Sequence, residues 1–129
     1  MRASPTRRAA AFTLIELLIV MAIVAVLLTL AAPRYLTSVE RSKEAVLRQN
    51  LATLRETLDK HLADTGQYPT QLGDLVSRRY LRAIPVDPIT ESTETWILVG
   101  SIDPQRPGIA DVRSGAQTPA SDGSSFAEW

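Results

Sequence analysis

The chain has 129 residues, with 14 basic and 14 acidic side chains, one histidine and no cysteine. The absence of cysteine excludes disulfides and thiolate metal sites. Three of the basic residues fall in the first eleven positions, so the remaining 118 residues carry 11 basic and 14 acidic side chains, and this mildly acidic balance argues against nucleic-acid binding, which shows as a basic patch.

Residues 1–11, MRASPTRRAAA, carry Arg2, Arg7 and Arg8, no acid, and end in three alanines. Phe12 to Ala32 follow, a run of 21 residues whose one charge is Glu16. About 20 apolar residues let a helix cross a bilayer core. A basic flank, an apolar core and small residues are the ingredients of a secretory signal, but here the small residues precede the apolar run. Cleavage at them would keep the helix on the mature chain, place its new amino group near Glu16 and leave the basic leader on the cytoplasmic side. A carboxylate in a membrane helix costs roughly 2.5–3.5 kcal/mol at the bilayer centre. Glu16 is therefore either a charge tolerated near the interface or one with a partner, for which the released amine is the candidate.

Ala11, Phe12, Thr13, Leu14, Ile15 and Glu16, with Pro33 closing the apolar stretch, resemble the start of the type IV pilin and pseudopilin superfamily. Its precursors carry a short basic leader, a small residue, then Phe-Thr-Leu-Ile-Glu and a hydrophobic helix. Ala11 stands where that family has glycine. The resemblance implies that a prepilin peptidase cuts between Ala11 and Phe12 and methylates the Phe12 amine, and that Glu16 pairs with the Phe12 amine of a neighbouring subunit during filament assembly. Desolvation removes much of the gain of such a buried pair, so the pair would set register more than stability.

From 33 to 65 the pattern turns amphipathic. Leu47, Leu51, Leu54, Leu58 and Leu62 mark one helical face, extended backward by Val39 and Leu36. The other face carries Glu40, Arg41, Lys43, Glu44, Arg48, Arg55, Glu56, Asp59 and Lys60, expected to be solvated, with Glu44–Arg48 and Glu56–Lys60 attracting at four-residue spacing. The two runs join into one helix from Phe12 to about Asp64, roughly 75 Å at 1.5 Å per residue, which Pro33 is expected to bend or break. His61 is expected on the exposed side.

Residues 66–129 read as a small globular domain. Gly66 ends the long helix. Thr70 is placed to cap a short helix over Gln71 to Arg79, whose Leu72, Leu75 and Val76 would dock on the leucine face. Pro85 and Pro88 force an extended path. Tyr68-Pro69 and the stretch Tyr80 to Pro88 resemble the major pseudopilins, the G subunits of type II secretion systems. Two strands are expected, Thr95 to Val99 and Ile109 to Arg113, across the turn Asp103 to Gly108, giving an α+β fold in which a small antiparallel sheet packs on the long helix. The segment Ser114 to Trp129 reads as a loop pinned by Phe126 and Trp129.

In major pseudopilins the loop after the second strand binds calcium, and Val112, Ser114 and Asp122 occupy similar places here. Calcium takes about six to eight oxygens, often from several carboxylates, and Asp122 offers one, so the expected reading is a turn before Gly123 and no cofactor. No nucleophile elbow or metal-ligand spacing occurs, and an enzyme is not expected. The expectation is a pseudopilin of the bacterial inner membrane, single-pass with its domain in the periplasm. It would polymerise into a homo-oligomeric filament with minor pseudopilins on the secretion platform, without nucleic acid. The alternatives are a minor pilin of a type IV or competence pilus and a monomeric, membrane-anchored periplasmic binding domain.

Overall fold

A computed structural model describes residues 2–3 and 11–129. The chain forms two compact units that meet between Leu36 and Thr37, and helix α1, Leu14–Thr65, contributes to both. Residues 4–10, which include Arg7 and Arg8 of the expected leader, lie outside the described residues.

In the first unit every residue from 11 to 36 is exposed. Thr13 begins the helix: the Glu16 N–H donates to Thr13 Oγ1 at 3.2 Å, and the Leu17 N–H donates to the Thr13 carbonyl at 3.1 Å. Thr-x-x-Glu at a helix start is the capping-box pattern, so part of the Phe-Thr-Leu-Ile-Glu string has a local structural reason. Thr29, the other hydroxyl of the apolar run, donates to the Ala25 carbonyl at 2.8 Å, which satisfies it inside its own helix. The expected break at Pro33 does not occur, and α1 stays helical through it. Proline removes one amide donor and crowds the preceding turn, but the regular helix on both sides holds the backbone in register across that gap.

The second unit packs α1 against everything that follows. Leu47, Leu51, Leu54 and Leu58 are buried with Leu72, Leu75, Trp96, Ile109, Val112, Ala120 and Phe126. The stripe ends differently from the expectation. Leu36 is exposed, Val39 and Leu62 are half-buried, and His61 takes the next inward position at 4% exposure. The steps of four, three and four between Leu47 and Leu58 continue with a step of three, which reaches His61 and not Leu62. Its ring lies edge-on to Tyr80 at 5.5 Å between centroids, and Nδ1 meets the Gln67 carbonyl at 2.8 Å. A buried imidazole is tolerated because it is hydrogen-bonded.

Helix α2 covers only Gly73–Ser77, shorter than the expected 71–79. Asp74, not Thr70, organises its start, its Oδ2 accepting from the Thr70 N–H, the Thr70 hydroxyl and the Gln71 N–H. Arg79 ends it at φ 64, with the Tyr80 N–H donating to the Leu75 carbonyl and the Arg79 N–H to the Val76 carbonyl. This is the paired C-terminal closure that glycine usually provides. Leu72 and Leu75 enter the core, whereas Val76 is only half-buried.

Strands β1, Ile97–Gly100, and β2, Ile109–Arg113, pair antiparallel with Leu98 opposite Val112 and a register shift at Val99/Gly100. β2 buries Ile109 and Val112, while β1 leaves Ile97 and Leu98 nearly half exposed, its inward anchor being Trp96 just before it. Gly108 is required where it stands. Its φ is 130, and a Cβ would come within 2.7 Å of the Pro69 carbonyl, the acceptor of the Ile109 N–H at 2.8 Å. The Tyr68-Pro69 pair thereby ties the end of α1 to the start of β2.

Candidate functional site

Two features stand out from a self-contained fold. The first is the helix start. Ala11 and Phe12 lie exposed outside α1, which begins at Leu14, and Phe12 is 83% exposed. Glu16 sits in the first turn, where a carboxylate is favoured by the positive end of the helix dipole. Behind it the apolar side chains point in every direction, with none of the described residues covering them. α1 contains an 18-residue window of mean hydropathy 2.9, none of which is buried, long and apolar enough to cross a membrane. Exposed apolar surface on this scale marks a face that another molecule or a lipid phase covers.

The second feature is the way the segment 114–129 is held. Val112, Ser114 and Asp122, the positions to which the resemblance assigned calcium, each have other partners. The Val112 carbonyl accepts from Arg55 Nη2 at 3.2 Å. Ser114, fully buried, donates to Asp87 Oδ2 at 2.5 Å. Asp122 Oδ1 accepts from the Ser124 N–H and hydroxyl at 2.9 and 2.6 Å, and these bonds hold its carboxyl below the usual range against a small opposing effect of burial. Among the described residues no group of three His, Cys, Asp or Glu side chains is placed to hold a metal ion. All three positions are thus engaged within the chain itself.

Several helix charges expected to be solvated are instead engaged with this segment. Glu44 accepts from the Ser121 N–H and hydroxyl at 2.6 and 2.7 Å instead of pairing with Arg48, whose guanidinium lies 4.3 Å over the Trp129 ring. Arg55 pairs with Asp111 at 2.8 Å. Phe126, in a 3-10 turn Phe126–Glu128, enters the core, and Trp129 packs edge-on against it at 4.8 Å, so the two aromatics pin the segment as expected.

Residues 6–32 match the family described as the prokaryotic N-terminal methylation motif. The chain carries a prepilin-type methylation motif. It spans the exposed Ala11–Phe12 bond, the Thr13-capped helix start, Glu16 and the uncovered apolar run, so motif and unsatisfied surface coincide. The chain is also similar to type II secretion system core protein G. It is 33% identical to that of Xanthomonas campestris pv. campestris over 76 residues, covering 58% of this chain and 53% of the relative. It is 30% identical to that of Dickeya chrysanthemi over 98 residues, covering 64% of each. The chain thus spans between half and two thirds of the length of these curated relatives. No solved structure gives a significant match.

Proposed function

We propose that the chain is a pseudopilin, a subunit of the periplasmic filament of a type II secretion machine, and that it has no catalytic role. In this reading residues 1–11 are a leader retained on the cytoplasmic face, a prepilin peptidase cuts between Ala11 and Phe12, and the freed Phe12 amine is methylated. Residues 12–32 hold the subunit in the inner membrane until it joins the filament. There the same apolar surface packs against copies of itself, and Glu16 of one subunit meets the Phe12 amine of the next. The domain formed by residues 37–129 stays in the periplasm, where minor pseudopilins and the inner-membrane platform are its partners.

The observation that carries this reading is the coincidence of the methylation motif with an apolar helix that the described residues leave uncovered. A lone anchor would need such a helix but no processing site, and a soluble core helix would be buried. The test is the intact mass and N-terminal sequence of the detergent-extracted protein, made with and without a prepilin peptidase. The expected mature chain begins at N-methylated Phe12. A chain that keeps Met1 when the peptidase is present contradicts the proposal and leaves a membrane-anchored monomer.

A further inference from the structure

We infer that the cation fastening the C-terminal segment of this chain is the guanidinium of Arg55 and not a metal ion, so that the domain folds without calcium. The inference concerns residues 37–129 and stands whether or not the chain polymerises.

Three oxygens, two from neighbouring residues of β2 and one from the C-terminal segment, converge on Arg55. Nε donates to Asp111 Oδ1 at 2.8 Å, and Nη2 donates to the Val112 carbonyl at 3.2 Å and to the Trp129 main-chain oxygen at 2.6 Å. The Val112 carbonyl is one of the three positions that the resemblance assigns to calcium. A second, the Ser114 hydroxyl, is turned toward Asp87 in a fully buried pair, where Asp87 Oδ1 also accepts from the Ile89 N–H at 2.9 Å. The third, Asp122, closes its own turn through Ser124. A dication at this place would face the positive charge of Arg55 and would have to displace bonds that are already made.

A planar fork suits the task. It fixes two donor directions at once, whereas an ammonium is a single point charge on a flexible stem. The neighbouring residues on the same helix reinforce it: Arg48 covers the Trp129 ring and Glu44 holds Ser121. Residues 44, 48 and 55 fall on one flank of α1, beside the buried stripe, so a single rigid element presents all three contacts. Arg55 is 38% exposed, so water competes for it, and geometry rather than burial makes the clamp.

The test uses the full-length chain in detergent, with calcium chloride or EDTA as the only variable. The melting temperature and the rate of protease cleavage between residues 116 and 125 should be the same in both conditions. A loop built around calcium would instead raise the melting temperature by about 10 °C or more at saturating metal. Arg55→Met should speed cleavage of that segment about tenfold while helicity stays at the unaltered level, and Arg55→Lys should restore little of the protection. A calcium-dependent rise in melting temperature, or full protection in both variants, overturns the inference. If Arg55→Met melts the whole domain, the metal titration of the unaltered chain decides alone.

Discussion

Asp87 shows how much one side chain organises. It is fully buried, its Oδ1 accepts from the Ile89 and Thr90 N–H groups, and its Oδ2 takes the Ser114 hydroxyl. Its own N–H donates to the Ser92 carbonyl at 3.0 Å. Removing the carboxylate strands one buried donor, the Ser114 hydroxyl, and two partly buried ones, the Ile89 and Thr90 N–H groups, and an unpaired buried donor costs about 1–3 kcal/mol. Asp87→Ala should therefore lower unfolding stability by about 3 kcal/mol or more, read as an earlier urea midpoint by tryptophan fluorescence, with loss of order at both 85–92 and Ser114. The prolines on either side of Val86-Asp87 disclosed an extended path but not this role. Acidic residues are rarely fully buried, and the partner is 27 positions away. His61 was expected on the exposed side and is buried: the step of three from Leu58 points to it, but the step of four to the more apolar Leu62 obscured it. Arg55 carried no such signal, since a charge on the outer flank of an amphipathic helix reads the same whether it faces water or a clamp.

At the level of elements, the long helix and the two strands were legible because each rests on strong local patterning: continuous apolar residues, a leucine stripe, and β-branched runs separated by a proline-glycine turn. The helix end at Thr65 and the strand limits of β2 match the expectation closely. α2 was harder. Asp74 lies inside the expected helix, yet its carboxylate reaches back to Thr70 and Gln71, so the preceding residues form a turn and the helix is a single short one. The Thr70 hydroxyl foremost holds the Asp74 carboxyl below its usual range, against the opposing effect of burial and with help from Gln71 and the Thr70 N–H. A carboxyl whose folded value is depressed adds stability at neutral pH and loses it as pH falls through that value, here below about pH 4. Hydrogen exchange in peptides covering 68–81, corrected for intrinsic rates, should accelerate on acidification through that range. Asp74→Asn should exchange faster at neutral pH and show little further change in acid. Pro33 marks the opposite limit of local reasoning, since a residue that disfavours helix in isolation is carried by the length of regular helix around it.

On the scale of the whole molecule, the sequence describes a chain that satisfies one part of itself and not the other. Residues 37–129 bury a leucine stripe, a tryptophan and a phenylalanine around one core. Residues 12–32 are exposed throughout, and an apolar helix left bare on every side calls for a lipid phase or another molecule to cover it. What covers it in the proposed filament is other copies, with Glu16 as the residue that sets their register. Glu16 also stands at the third position of the capping box, so a loss of function in a crude substitution could come from a frayed helix start. Glu16→Gln separates the two roles, because glutamine serves a capping box as well as glutamate does but has no charge to offer an amine. The decisive measurement is therefore the assembly of Glu16→Gln beside the unaltered chain in cells that contain the prepilin peptidase, read by chemical cross-linking of the membrane fraction. The expected result is a ladder of multimers for the unaltered chain and a processed but monomeric variant. A Glu16→Gln chain that forms the same ladder would contradict the central claim.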